Sequence, residues 1–453
     1  MQLVAVSICV LFILWLFVRD HKLRPMTSWG LWVVLAWVWI LGSRHVSSWL
    51  GGAARELESE PFVFLEGNPF DRNVYFIMII SGAIALLWRK PDWKKIFDSN
   101  RWFFAFFIYC GISVLWSDFP FVSLKRWIKE AGNLIMILIL VTEKNSITAT
   151  RAVFARYAYL AIPLSVLFIM YFPDIGWYDR GEAWESAVCS GVTTEKNQLG
   201  LVTFICGLFL VWDLIQTSVA RKKDLVDLLT RGVLLLMVVW LVYMAKSSTA
   251  LVCLILGTGI LLFMNRPFFK RQVRYIGTYA LVSGLLVFLV WSVPGILDSV
   301  TDIVGRDKTL TGRTDIWADL LKEPVNPLLG TGFQGFWLGN RMEYYFDKYV
   351  FHLTQAHNGY LETYLNGGLL GVGLLIAIII VTGRKLKKEV LRESSFGILL
   401  FAFLVAALFY NCTEAMFSKL NLLWFLMVIA ALYYPRFHDS LPKGIAPDVR
   451  GNR

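Results

Sequence analysis

The sharpest candidate for chemistry in this sequence is a histidine that stands just before an apolar run. His357 lies within Ala-His-Asn-Gly-Tyr-Leu-Glu at 356–362, and a glycine-rich stretch follows at 367–371. An imidazole exchanges a proton near neutral pH, so this side chain could act as a general base. The alternative is a structural histidine that caps a helix or forms an interfacial hydrogen bond. That structural interpretation is preferred for the other four, His21, His45, His352 and His438.

The second candidate is the arginine of Thr-Gly-Arg-Thr-Asp-Ile-Trp at 311–317. Arg313 stands at the start of a short predicted helix. There its guanidinium and the amides of the helix N-terminus could together hold an oxyanion. A surface ion pair with Asp315 or Asp319 is the alternative interpretation.

Two other groups of cations stand near the ends of apolar runs. Arg180 lies in a connecting segment, and Lys196 and Asn197 open the run that follows it. Lys196 could equally extend to the lipid headgroups, as lysines at helix ends often do.

A further run opens with the cations Lys125, Arg126 and Lys129. The two lysines are four residues apart and therefore share a helical face. Cations held partly inside a membrane domain tend to mark a site for an anionic ligand. Binding of ordinary anionic lipid, or pairing with Glu130, is the alternative.

Three common catalytic motifs are absent. The sequence contains no P-loop, no Asp-x-Asp pair and no Gly-x-Ser-x-Gly. These absences argue against ATP drive, a metal-dependent glycosyltransferase site of the usual kind and an α/β-hydrolase nucleophile. A reaction that expels pyrophosphate would need Arg and Lys to balance the developing charge, so we predict no metal and no other cofactor.

The elements that must position these residues are membrane spans. Of the 453 residues 57% are hydrophobic, and the mean hydropathy is +0.58, above what soluble domains show. The excess lies in about thirteen apolar runs of bilayer-crossing length. They lie at roughly 2–18, 27–42, 74–88, 102–116, 124–142, 154–172, 197–215, 232–245, 249–264, 276–292, 368–382, 396–411 and 420–434. The pattern predicts an all-α polytopic membrane protein of about 12–13 transmembrane helices, with residues 1–453 as a single domain.

The positions of Lys and Arg predict the orientation. Alternate short loops and the C-terminal tail hold 28 of the 44 Lys and Arg residues, which predicts that these loops are cytoplasmic. The same bias explains the net charge of +11 without a nucleic-acid partner. The N-terminus is then outside and stays as a span, since no signal cleavage pattern follows it. Six cysteines show no paired spacing, which argues against a disulfide framework or a zinc site.

The longest outer segment is 293–367, and it carries the two strongest candidates. It is rich in Trp, Phe and Tyr, which predicts a folded, partly helical periplasmic loop. A short helix is predicted from Asp315 to Leu321, with Thr314 as its N-cap.

Together these features resemble the O-antigen ligase/polymerase superfamily of bacterial membrane glycosyltransferases. The ligase motif of that family is a histidine, then Asn, Ser or Gln, nine residues, Gly, two residues, and a small residue or tyrosine. His357, Asn358, Gly368 and Gly371 fit it. Residues 312–333 are similar to the pattern Gly-Arg-x-x-x-Trp…Pro-x-x-Gly-x-Gly, and residues 191–200 are similar to a Lys-Asn segment that opens a middle span.

The resemblance implies metal-independent, inverting transfer from undecaprenyl pyrophosphate in the bacterial inner membrane, with the active site facing the periplasm. The partners it implies are the lipid-linked glycan donor, a lipid A–core or growing-glycan acceptor, and membrane lipid. His357 would draw the proton from the acceptor hydroxyl, while Arg313 and Arg180 would hold the pyrophosphate. Glu362 could orient the imidazole, or merely cap or solvate. The predicted substrate-binding residues are Lys125, Arg126, Lys129, Lys196, Asn197, Asn358 and Glu362.

Two other functions are considered. A transporter or flippase of lipid-linked glycan should show broken helices or paired polar residues at mid-membrane. A structural scaffold would leave the clustered cations without a purpose. The motif does not separate a ligase from a polymerase.

Overall fold

The computed structural model describes residues 1–23, 28–51, 67–178, 188–219, 224–264, 266–275, 277, 313–349 and 353–433. Regular structure in these ranges is helical except for one short antiparallel pair, Trp177–Tyr178 (β1) with Val188–Cys189 (β2). The prediction of an all-α polytopic membrane protein is confirmed.

The helices of the described residues follow one another along the chain. They are α1 (Gln2–Leu23), α2 (Gly30–Leu41), α3 (Val46–Trp49), α4 (Pro69–Arg89), α5 (Trp93–Ser99), α6 (Arg101–Ile112, extended by a 3₁₀ turn at Ser113–Trp116), α7 (Pro120–Val141), α8 (Ser146–Tyr171), α9 (Pro173–Gly176), α10 (Lys196–Val219), α11 (Leu225–Ala245), α12 (Ser248–Phe263), α13 (Pro267–Gln272, extended by a 3₁₀ turn at Val273–Tyr275), α14 (Arg313–Leu320), α15 (Gly339–Lys348), α16 (Gly359–Leu391), α17 (Ser395–Tyr410) and α18 (Leu422–Leu432).

Length and apolar composition qualify six of these helices to cross a membrane. They are α1, α4, α8, α10, α11 and α16, and α12 with the bent α13 segment would make a seventh. Four apolar helices, α2, α6, α17 and α18, are shorter. The predicted run at 276–292 falls almost entirely outside the described residues, as do residues 293–312 of the predicted loop.

The bundle is built around α10, which is buried over most of its length. It packs against α8, α11 and α12, and the short α17 and α18 complete the interior. We call the end of the bundle that carries the starts of α10 and α16 the site end. The end that carries the last turn of α10 and the first turn of α11 is the opposite end.

A break in α16 gives the site end its shape. Gly368 has φ +58° and ψ −163°, and a Cβ there would lie 2.3 Å from the carbonyl group of Leu328. The next two amides, of Leu369 and Leu370, donate to the carbonyls of Pro327 (2.8 Å) and Leu328 (3.2 Å). The Pro-x-x-Gly-x-Gly segment therefore packs into the break, and only glycine fits the crossing.

Candidate active site

The centre of the site is Glu414, in the turn between α17 and α18. Asn411 organises this turn, because its Oδ1 accepts the amides of Met416 (2.9 Å) and Phe417 (3.1 Å). The turn places Glu414 inside the protein, where it is only 3% exposed. A carboxylate at such a position must be compensated by donors or cations.

Four side chains from three parts of the chain converge on this carboxylate. Its Oε1 accepts from Nδ2 of Asn197 (3.2 Å) and Nη2 of Arg313 (3.3 Å). Its Oε2 contacts Nδ1 of His357 (3.1 Å) and accepts from Nε2 of Gln355 (3.3 Å). One buried charge thus joins the starts of α10 and α14 to the segment before α16.

The contact with Glu414 determines which nitrogen of His357 can act as a base. An ionised carboxylate can only accept hydrogen bonds, so Nδ1 of a neutral His357 must carry the proton. Nε2 then keeps its lone pair and can accept a proton from another molecule. The ring is partly accessible, with its side chain 21% exposed.

The backbone around His357 is held on both sides. His357 itself has φ +48°, an uncommon conformation that histidine adopts more readily than most residues. The carbonyl of the preceding Ala356 accepts from Nε1 of Trp317 (2.8 Å), and its amide donates to Oε2 of Glu362 (2.9 Å). Trp317 stands one helical turn after Arg313. Helix α14 therefore supplies both the cation that pairs with Glu414 and the indole that holds the carbonyl of Ala356.

The sequence left two roles open for Glu362, to orient the imidazole or merely to cap or solvate, and the carboxylate that contacts the imidazole is Glu414. Glu362 instead holds the amide of the residue before the histidine. Glu362 is 4% exposed and accepts from Nε1 of Trp337 (3.0 Å) and Nζ of Lys419 (2.9 Å). Its carboxylate therefore holds the backbone of the segment that precedes His357.

The alternative for Arg313, an ion pair with Asp315 or Asp319, is wrong. Asp319 instead accepts from Nζ of Lys348 (2.6 Å) and the hydroxyl of Tyr349 (2.9 Å). These two hydrogen bonds lower the pKa of Asp319 to about 2. Arg313 pairs instead with Glu414, and its side chain is 23% exposed.

The other predicted cations lie in different surroundings. Nη1 of Arg126 donates to the carbonyl of Gln334 (2.6 Å), next to the Pro-x-x-Gly-x-Gly segment. Lys125 lies 5.2 Å from the ring centre of Phe121, and Lys129 lies 5.1 Å from that of Tyr75.

Three predicted residues remain. Lys196 is the first residue of α10 and is partly exposed. Asn358 caps α16, because its Oδ1 accepts the amides of Tyr360 (3.0 Å) and Leu361 (3.1 Å). Arg180 lies outside the described residues.

Sequence reasoning missed Glu414, although one signal points to it. It is the single acidic residue of a short segment, 412–419, between two apolar runs. An ionisable residue at the end of a span is by default a functional candidate. In the described part of the chain, no group of three or more His, Cys, Asp or Glu side chains is arranged to hold a metal ion.

Comparison with known proteins gives two matches. Residues 232–376 match the family model O-Antigen ligase, a range that contains Arg313, His357 and Glu362 but not Glu414. The chain is 28% identical over 308 residues to the exopolysaccharide production protein ExoQ of Rhizobium meliloti (strain 1021). That alignment covers 64% of this chain and 66% of the relative, just under two thirds of its length.

Proposed function

Because both matches support the O-antigen ligase/polymerase superfamily, we propose that this chain is a membrane glycosyltransferase. It would move a glycan from undecaprenyl pyrophosphate to an acceptor sugar hydroxyl, on the periplasmic face of a bacterial inner membrane. The observation that carries the proposal is the buried Glu414 carboxylate, which holds an imidazole and a guanidinium side by side.

The geometry around His357 supports general-base catalysis. Its Nε2 takes the proton of the acceptor hydroxyl, and the oxygen attacks the anomeric carbon of the donor. The new C–O bond forms as the bond to the pyrophosphate breaks on the opposite face, which inverts the configuration. The electron pair leaves with undecaprenyl pyrophosphate, while Glu414 stabilises the imidazolium that forms.

The leaving pyrophosphate requires positive charge, and Arg313 is the nearest candidate. Its contact with Glu414 uses Nη2, so the guanidinium fork can still offer other N–H groups to an oxyanion. Arg180 stays in the proposal by its position in the segment before α10. Lys125, Arg126, Lys129 and Lys196 would add to the positive potential, so that transfer needs no metal.

The name of the relative favours one form of transfer. ExoQ is described as an exopolysaccharide production protein, so polymerisation of lipid-linked repeat units is preferred here to ligation onto lipid A–core.

The break in α16 is a feature that would favour a transporter of lipid-linked glycan. Transport sites commonly use interrupted helices whose backbone groups face the substrate. Here the first two amides after the break are satisfied by residues 327–328. The break therefore serves packing, and the enzyme is preferred.

The proposal is tested with the full chain in proteoliposomes that contain a lipid-linked repeat unit. We expect His357→Ala to abolish transfer and to leave the unfolding temperature unchanged. His21→Ala, which removes an exposed histidine at the opposite end, is the matched control. Activity should persist in EDTA. Wild-type levels of product from His357→Ala would show that His357 is not the general base. Loss of activity in EDTA that added Mg²⁺ restores would contradict the metal-independent mechanism.

A further inference from the structure

The last turns of α16 and the short α13 lie at the opposite end of the bundle. Nε1 of Trp212, in the last turns of α10, donates to the carbonyl of Ser395 (3.0 Å), which closely follows α16. Helix α12 begins at the site end, where Oγ1 of Thr249 lies 2.9 Å from Oγ1 of Thr413. The chain then bends by 106° between α12 and the segment Pro267–Tyr275. This segment therefore runs across the opposite end, at a large angle to α12.

Side-chain contacts join α13 to the last turns of α16. Nζ of Lys387 donates to the carbonyl of Arg274 (2.5 Å), and Lys270 forms an ion pair with Glu393. Helix α16 also packs against the 3₁₀ turn that extends α13, in which Val273 is buried. Residues 266–275 and 384–394 thus form one surface, which we call the basic platform.

The basic platform carries far more positive than negative charge. It contains nine Lys and Arg residues and two glutamates, Glu389 and Glu393. Both glutamates are already paired, Glu389 with Arg392 (3.2 Å) and Glu393 with Lys270. Five exposed cations of the platform have no ion pair among the described residues, and they are Arg266, Arg271, Arg274, Arg384 and Lys388. The platform is therefore complementary to an anionic partner.

Exposed aromatic rings stand beside these cations in the same short segment. Phe268 is 65% exposed, Phe269 is 42% exposed and Tyr275 is 56% exposed. Rings next to Lys and Arg at the level where spans end are typical of an interfacial segment, whose apolar side chains enter the lipid while its cations meet headgroup phosphates. A soluble polyanion would pair with the cations but would leave the rings in water. The combination favours an anionic lipid as the partner.

We propose that the basic platform binds the headgroup of an anionic phospholipid, with cations from both segments around its phosphate. Arg271 and Arg274 are three residues apart, and Arg384 and Lys388 are four apart, so each pair shares one side of its helix. The contact of Lys387 with the carbonyl of Arg274 brings the two pairs close. Clusters of Lys and Arg at the ends of spans commonly bind such headgroups. The inference does not depend on the proposed function.

The test is lipid binding by the full chain, measured by native mass spectrometry in detergent. Phosphatidylglycerol and phosphatidylcholine with the same acyl chains are titrated separately. We expect phosphatidylglycerol to bind more tightly, with a preference that falls as the ionic strength rises. Arg271→Gln combined with Arg274→Gln should weaken its binding by roughly tenfold or more, since each cation at a membrane surface adds to the attraction. Both side chains are exposed, and the contact of Arg274 with Lys387 uses the backbone, so folding is retained.

Two further variants test where the lipid site lies. Lys388→Gln removes an exposed cation of α16 and should also weaken the binding of phosphatidylglycerol. Lys22→Gln combined with Lys94→Gln is the matched control, because it removes two exposed cations of α1 and α5, which lie at the same end but outside the basic platform. It should bind phosphatidylglycerol like wild type. An equal loss in the control, or no loss in Lys388→Gln, would overturn a site built from these two segments.

A last variant separates a lipid from a soluble anion. Phe268→Ser combined with Phe269→Ser keeps every cation of the basic platform and removes two exposed rings, so it should weaken the binding of phosphatidylglycerol. Unchanged binding by this variant would overturn the proposal, and displacement of the lipid by tripolyphosphate would then indicate a soluble polyanion. Equal affinities of wild type for the two lipids would overturn it as well. His357→Ala should bind phosphatidylglycerol like wild type, so failure of transfer and failure of the lipid site are separate results.

Discussion

Charged residues cluster at both ends of the bundle, and the two clusters use their carboxylates differently. At the opposite end, the fully buried Asp213 accepts from Nε of Arg231 (2.5 Å) and also pairs with Arg151. Asp227 accepts from Nε of Arg19 (2.5 Å). Both carboxylates there pair with guanidinium groups, and neither contacts an imidazole among the described residues.

At the site end, Glu414 meets one guanidinium, one imidazole and two side-chain amides. The imidazole of His357 can change its protonation state, and the guanidinium of Arg313 is partly exposed. This cluster therefore keeps groups that can respond to a ligand. The identity and accessibility of the partners, more than the density of charge, therefore distinguish a reaction site from a structural ion pair.

The largest effect is expected from Glu414→Gln. The amide keeps the size of the side chain but cannot stabilise an imidazolium, so the transfer rate should fall by about 10²–10⁴-fold, the usual contribution of general acid–base catalysis. Initial rates in proteoliposomes measure this. Glu414→Asp keeps the charge and should retain more activity. A Glu414→Gln protein with the wild-type rate would show that both clusters are structural.

Substitutions at the opposite end should change the free energy of unfolding and leave the transfer rate unchanged. Asp213→Asn removes the closer of the two carboxylates that pair with the buried Arg231, since Asp227 lies 3.9 Å from its Nη1. The substitution should cost about 3 kcal/mol of unfolding free energy, while each folded molecule keeps its activity. Chemical unfolding in detergent measures this. Asp98→Asn breaks an exposed pair with Arg101 (3.0 Å) and should change stability by less than about 1 kcal/mol. Slower transfer by Asp213→Asn without loss of stability would place that cluster in the function.

A smaller effect is expected from Arg313→Lys. Lysine keeps one positive charge on Glu414 but cannot offer a planar fork, so transfer should slow by roughly tenfold, whereas Arg313→Ala should lose about 10²–10³-fold. Initial rates at saturating donor separate the two variants. Equal rates for wild type and Arg313→Lys would mean that a point charge is enough at the site end.

The architecture was predictable because hydropathy repeats along the whole chain. Runs of apolar residues predict the all-α membrane fold, and the bias of Lys and Arg predicts its orientation. Neither prediction needs information on tertiary contacts. The helix predicted over Asp315 to Leu321 is found at Arg313–Leu320, a displacement usual for helix ends. The pair of two-residue strands at 177–189 was not predicted, since so short an element leaves no periodicity.

The site was predictable only in part. The histidine and arginine could be identified by residue type and motif, but their common partner could not. Glu414 meets Asn197 across 217 positions of sequence and Arg313 across 101, and no local pattern reports such a convergence. The break at Gly368 was equally hidden, because its cause is the backbone of another segment.

The smallest effect is expected from an exposed network that belongs to neither cluster. Asp319 accepts from Lys348 and Tyr349, and its pKa is lowered from 3.8 to about 2. A lowered pKa means that its contribution is complete above about pH 4 and is lost as the pH falls through about 2. Asp319→Asn should therefore lower the unfolding temperature slightly at pH 5.

The difference between wild type and Asp319→Asn should become small near pH 2 and vanish below it. It should also shrink in high salt, because exposed charges are screened. Scanning fluorimetry between pH 5 and pH 2 measures it. A loss of stability as large as that expected for Asp213→Asn, or one that salt leaves unchanged, would contradict this view. Burial would then no longer determine how much each of the three charge networks contributes to stability. If the difference is small and falls with salt as expected, Glu414 differs from the other two carboxylates because it is buried and yet contacts side chains that a ligand can reach.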